Sequence, residues 1–442
     1  MESSTLKNTF EDIKNNFFTS PLIKEDDLKD GGLYVDTIEA RTGSHYKSPI
    51  KDILVACTNT SDNTNFIHLL LGHRGCGKST EINKLEIEFR EKEFAVRKID
   101  LTADTNSSNL EVNDFLILIS HALLDICREK NIIIEPDDVK KLYSFFIEEE
   151  EIIKDADQEE YGYGYEAGFS FSAIVKLVTG VKAQIMNTSS KMTTIRNRVT
   201  KRFAELNECF TNIIKKIQQE DNKKRPIIIF ENLDKITPTD TVFKLFEQGY
   251  LEKIKTYIIY TFPISMSYHK SFGPIEDIAK THNFPMIEIK NQNGEKNQKG
   301  YDVITKIIEK RAVLSLFEEN AIDLIIEKTG GSLRDAFRCI TQAAIYAERK
   351  EKDKISTEEV EMALNDQKQS LSKRIEYQDY KELKEIHEAL DKTIIKDKQK
   401  MLEFLKAHVV LEYNGDRWHD LHPLIYDFLK NKWELINTPT TT

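Results

Sequence analysis

The segment LLLGHRGCGKST, residues 69–80, constrains this chain more than any other stretch of it. Gly72, Gly77, Lys78 and Ser79 fit G-x-x-x-x-G-K-[ST], the pattern of a phosphate-binding loop. Gly72, Gly75 and Gly77 free the backbone for conformations that a Cβ forbids, so successive N–H groups point inward at anionic oxygens. Arg74, Cys76 and Thr80 belong to the same loop. Lys78 is placed to reach the β- and γ-phosphates of a nucleotide, and the Ser79 hydroxyl to ligand Mg²⁺. The flanks agree with this reading. Residues 66–71 form a short apolar strand, and residues 80–89 have the spacing of a helix whose N-terminus favours anions. A glycine turn with an accidental lysine would lack both.

Residues 93–101 read as the next strand, so the order strand, loop, helix, strand predicts an α/β core with a parallel sheet covered by helices. That core is expected over 66–275, behind an N-terminal segment, 1–65. Tyr34, Val35 and Arg41 lie just before the first core strand. They read either as the cover of an adenine pocket or as ordinary packing residues. An amphipathic helix is expected over 109–130. An insertion, partly mobile, is expected over about 137–195; it carries an acidic run and the stretch YGYGYEAG, with a β-hairpin over residues 169–185. One long helix, 195–220, leads back to the core.

Residues 226–230, PIIIF, have the composition of a buried parallel strand, and ENLD follows. Acids at the tip of such a strand hold Mg²⁺ and position water in phosphate-loop enzymes. Glu231 takes the metal-side place, and Asn232 stands where a proton acceptor is often found. An amide cannot accept a proton, so hydrolysis must lean on Asp234 or be slow. A further strand, 257–260, ends in Thr261, whose hydroxyl is placed either to feel the γ-phosphate or simply to end the strand. Residues 330–335, GGSLRD, precede a helical run, and residues 355–360 carry a helix cap.

Taken in order, GHRGCGKST, IIIFENLD, YTFP and TGGSLRD resemble the AAA+ class of P-loop ATPases, near the branch of the origin-recognition ATPases and the STAND signalling NTPases. The resemblance covers about residues 30–366 and implies ATP/ADP with Mg²⁺, a helical lid over 276–366, and sensor roles for Arg334 and Thr261. Residues 367–442 add helices and a hairpin around Asn414-Gly415, similar to the winged-helix domain of both relatives. In STAND proteins a winged-helix histidine holds the ADP phosphate. His422 resembles it, although Pro423 replaces the motif's aspartate; a packed histidine is the other reading. AAA+ rings also place an arginine finger at the neighbour's site. No arginine occurs between Lys235 and Lys310. Lys253, Lys255 and Lys270 lack the bidentate fork, which leaves Arg311 as an outside candidate and points to slow turnover.

The expected function is thus an ATP-dependent switch with weak hydrolysis, assembling as a homo-oligomer or with a protein effector. Bacterial proteins of this build often serve in phage defence or mobile elements. The alternative, an initiator- or loader-like DNA-binding ATPase, calls for a basic surface. The chain carries a net charge of −11, and residues 367–442 balance 13 Lys/Arg against 13 Asp/Glu, so charge does not support it. The five cysteines show no metal or disulfide spacing, no run of ~18 apolar residues is present, and no signal-peptide layout opens the chain. A cytoplasmic location is expected.

Overall fold

The computed structural model describes residues 9–43, 48–58, 66–104, 110–146, 171–185, 190–220, 222–235, 239–413 and 417–436. Five strands build one parallel sheet: β1 (Ile67–Gly72), β2 (Val96–Asp100), β3 (Ile227–Glu231), β4 (Tyr257–Pro263) and β5 (Ala279–Phe284). Their spatial order is β2-β3-β4-β1-β5. Every residue of β1 and β3 is buried, as unbroken apolar runs require when helices cover both faces. This is an α/β P-loop core. β5 has the polar sequence AKTHNF, and pairing with β1 rather than its own composition makes it a strand.

On one face of the sheet the helix Val112–Glu129 packs against β2, and it shares a core with the helices Pro136–Phe146 and Phe203–Glu220. The other face packs on the phosphate-loop helix, Lys78–Glu91, through Ile82, Leu85 and Phe89. The hairpin expected over residues 169–185 is instead a helix, Phe171–Gln184. Its β-branched residues suggested strands, but Ile174, Val175, Val178, Val181 and Ile185 recur on one helical face and are all buried. The Thr179 hydroxyl donates to the Val175 carbonyl at 2.7 Å, satisfying its hydrogen bond within the turn. Residues 147–170, with the acidic and glycine-tyrosine stretches, lie outside the described residues. The single helix expected over 195–220 breaks at Arg202 into Ser190–Lys201 and Phe203–Glu220.

Beyond β5 the helices Gln298–Glu309, Ala321–Thr329, Leu333–Arg349 and Thr357–Ser372 form a bundle. It shares one core with the N-terminal helix Phe10–Asn16 and with the tail helices Lys398–Lys406 and Pro423–Ile436. In the tail, β6 (Val410–Tyr413) and β7 (Trp418–Leu421) pair antiparallel, as the sequence led us to expect. The turn residues 414–416 lie outside the described residues. Among the described residues no helix is long and apolar enough to cross a membrane.

The hairpin is docked on the core by polar contacts. The Met286 N–H donates to the Glu412 carbonyl at 3.1 Å, and the Glu412 N–H donates to His73 Nε2 at 2.8 Å. Trp418 Nε1 donates to Glu288 at 3.2 Å, the Tyr413 hydroxyl to the Gly330 carbonyl at 2.9 Å, and Lys290 pairs with Asp420 at 2.7 Å. Phosphate loop, lid and tail are therefore in direct contact.

Candidate nucleotide site

The carboxyl ends of parallel strands are where open α/β sheets bind ligands. Here the ends of β2, β3 and β4 and the loop that follows β1 border a cavity of about 540 Å³. Gly75 and Gly77 have φ of 85° and 107°, in the region that favours glycine. Lys78 Nζ donates to the carbonyls of Gly72 and His73, both at 2.8 Å, so the loop folds back over its own lysine. Arg74, Gly75, Gly77, Lys78, Ser79 and Thr80 all line the cavity. Gly72 and Cys76 do not. The Cys76 thiol faces the Phe284 carbonyl at 3.8 Å inside the core. Gly72 is closed in by that same carbonyl, 2.6 Å from where a Cβ would stand.

The acidic wall comes from β2 and β3. Burial raises the Glu231 carboxyl above its ordinary value, partly offset by a hydrogen bond from the Ser79 hydroxyl. Serine hydroxyl and carboxylate are the hard oxygen donors that Mg²⁺ takes, and the two are already in contact here. Asn232 has φ 68°, a left-handed conformation that asparagine tolerates. Its N–H donates to Thr261 Oγ1 at 2.9 Å, and its amide Nδ2 donates to Asp100 Oδ1 at 2.8 Å. Thr261 thus braces the tip of β3 while lining the cavity. Asp234 lies in the turn Leu233–Lys235, and its side chain is outside the described residues.

Arg334 opens the lid helix Leu333–Arg349 and lies directly on the phosphate loop. A Cβ on Gly75 would stand 2.8 Å from Arg334 Cβ and 2.9 Å from its Nε. His422, expected as a phosphate ligand, is fully buried and does not line the cavity. Its Nε2 lies 3.6 Å from Asp335, the neighbour of Arg334, and its Nδ1 accepts from the Leu424 N–H at 3.2 Å. Burial works to raise Asp335, yet His422 holds that carboxyl well below the usual range. The histidine packs tail against lid instead of reaching the phosphates.

Leu22, Ile23, Leu33, Val35, Ile307 and Phe337 give the cavity an apolar wall as well. Tyr34 and Val35 both line the cavity. The Tyr34 hydroxyl lies 3.2 Å from Glu81, whose carboxyl burial pushes up to about 7. Arg41 lines the cavity as well. Fully buried, it donates to the carbonyls of Pro285 and Cys76, both at 2.6 Å, and so ties the phosphate loop to the end of β5. Arg311 also lines the cavity. It donates to the Leu33 carbonyl at 3.2 Å, and burial lowers it to about 10.

Sequence reasoning missed three contributors. The segment around Leu22 crosses the first turn of the phosphate-loop helix, its N–H bonded to Thr80 Oγ1 at 3.2 Å and its carbonyl to Asn83 at 2.7 Å. Its polar sequence gave no signal. Asp100 and Lys98, on β2, enter the site through strand pairing alone.

No family model matches the chain, and no curated relative matches it. Among solved structures it is similar to Cdc6p from Pyrobaculum aerophilum, at 11% identity and a TM-score of 0.39 over 93% of this chain and 100% of that one. It is similar to the Aeropyrum pernix ORC2 protein in ADPNP–ADP complexes at 10% identity, with a TM-score of 0.40 over 93% and 99%. The RuvB Holliday junction branch migration motor of Thermotoga maritima aligns at 10% identity with a TM-score of 0.32, over 86% and 93%. The core is defined here by its own strand order and glycine loop.

Proposed function

We propose that this chain binds ATP with Mg²⁺ in the cavity, turns it over slowly, and uses the bound nucleotide to set how lid and tail pack on the core. One observation carries the reading. Lys78 and Ser79, Glu231, Thr261 and Arg334 come from four separate segments and line one cavity together with the apolar Leu33, Val35 and Phe337. Lys78 and the loop N–H groups would hold the β- and γ-phosphates, and Arg334 would meet the γ-phosphate from the lid. Ser79 and Glu231 would hold Mg²⁺, which draws charge from the phosphate oxygens. Tyr34, Val35 and Phe337 would wall the base.

In this reading the chain is an AAA+-like switch of the origin-recognition/STAND-like kind, its tail acting as a winged-helix module and its assembly a homo-oligomer or a complex with a protein effector. Because Arg334 lies on the loop while its neighbour Asp335 faces His422, a change at the phosphates is transmitted to the tail. Equilibrium dialysis with radiolabelled ATP tests the reading. Saturable 1:1 binding that Lys78→Ala removes supports it; absence of binding at millimolar ATP refutes it.

A further inference from the structure

The proton acceptor that Asn232 cannot supply is present one strand away. β2 and β3 run parallel in a register that sets Asp100 opposite Glu231, at the carboxyl ends of both strands. Asp100 lines the same cavity as Lys78, Ser79 and Arg334. Its Oδ1 accepts from Asn232 Nδ2 at 2.8 Å, from Thr102 Oγ1 at 2.7 Å and from the Thr102 N–H at 2.8 Å. Asn232 is itself fixed, because its N–H is held by Thr261. A continuous chain, Thr261–Asn232–Asp100–Thr102, thus orients one carboxylate at the phosphate end.

The bonds from Thr102 are those of a turn cap, which serine or asparagine would make equally well. Capping accounts neither for a carboxylate in particular nor for the amide that reaches it from β3. Glu231 is bonded to the Ser79 hydroxyl and so is committed to the metal side.

We propose that Asp100 is the carboxylate that receives the proton of the attacking water in ATP hydrolysis, with Asn232 as its positioning residue. The work usually done by one acid after the β3 strand is here shared between β2 and β3. The proposal rests on the ATPase reading above. In the step, a water O–H bond breaks and its proton passes to a carboxylate oxygen of Asp100. The water oxygen forms its bond to the γ-phosphorus, and the bond from that phosphorus to the β–γ bridging oxygen breaks. The bridging oxygen keeps the electron pair and leaves as ADP. The proton then passes from Asp100 to the inorganic phosphate or to solvent.

The test measures, on the full chain, both ATP affinity by equilibrium dialysis and the single-turnover release of phosphate with Mg²⁺. Asp100→Asn keeps shape and cap but cannot take a proton. It is expected to lower turnover by about 100-fold or more, the range of a lost general base, with ATP affinity unchanged within about threefold. The exchange D100N/N232D preserves the hydrogen bond with its partners swapped. It is expected to recover turnover above Asp100→Asn, and it answers the same question if the single variant does not fold. Parental turnover in Asp100→Asn or no recovery in the exchange would each overturn the proposal. So would a parent that binds ATP without hydrolysing it, an outcome that leaves the binding reading intact. A parent that binds no ATP removes the function proposed above instead.

Discussion

Gly75 leaves just enough room for Arg334, so the helix Leu333–Arg349 lies against the phosphate loop. At φ 85° with Arg334 atoms within 3.1 Å of a would-be Cβ, alanine is strained by its backbone and collides with the lid. Gly75→Ala is expected to cost about 1–3 kcal/mol in stability. It should also weaken ATP binding more than the neighbouring Arg74→Ala does, as isothermal titration would show. Lys78→Ala is expected to weaken ATP binding about 100-fold, ~3 kcal/mol for a charge-assisted contact, with the far-ultraviolet dichroism unchanged. The loop was readable from sequence because its chemistry is local: glycines, lysine and serine act at fixed spacing along one backbone. Asp100 was not. It is an unremarkable acid after a strand until the β2–β3 register places it beside Glu231 and Asn232. His422 misled for the same reason, since its partner Asp335 lies 87 positions away in sequence and nothing local announces it.

Among the elements, the β6–β7 hairpin binds tail to core, and buried Glu412 is its centre. It accepts from the Tyr268 hydroxyl and from Arg417 Nε at 2.9 Å, and lies 3.3 Å from His419 Nε2. Glu412→Ala leaves Arg417 without its carboxylate and is expected to destabilise by about 3–5 kcal/mol, measured by urea unfolding. A double-mutant cycle with Tyr268→Phe should show a coupling of about 0.5–3 kcal/mol. Acid should loosen the same junction. For Asp420 burial works to raise the carboxyl, but His387, Lys290 and Lys392 hold it well below its ordinary value. Asp335 is depressed likewise by His422. A depressed folded value means the contribution is fully present above the unfolded aspartate value, about 4, and is lost as pH falls below it. Asp420→Asn should therefore flatten the fall in unfolding free energy between about pH 4 and pH 2. The hairpin was legible from its alternating apolar residues and Asn-Gly turn. Helix Phe171–Gln184 and strand β5 were not, because tertiary packing overrode the β-branched content of one and the polar sequence of the other.

Across the whole molecule, the helices after β5 and the tail are built as one unit. Lid, tail and N-terminal helix share a core, Arg334 touches the loop, and His73 of the loop accepts a hydrogen bond from the tail backbone. The order of the motifs carried this architecture in the sequence; the contacts that couple its parts did not, because they join residues hundreds of positions apart. On the proposed reading, a nucleotide held beneath Arg334 is expected to leave slowly, because that arginine lies against the phosphate loop. The most direct measurement is nucleotide content: purify the chain gently, denature it, and quantify released ATP and ADP by chromatography beside the turnover of the same batch. Near-stoichiometric nucleotide with slow turnover, lost together in Lys78→Ala, is the expected result. A chain that emerges empty and binds neither ATP nor ADP when they are supplied would contradict the account.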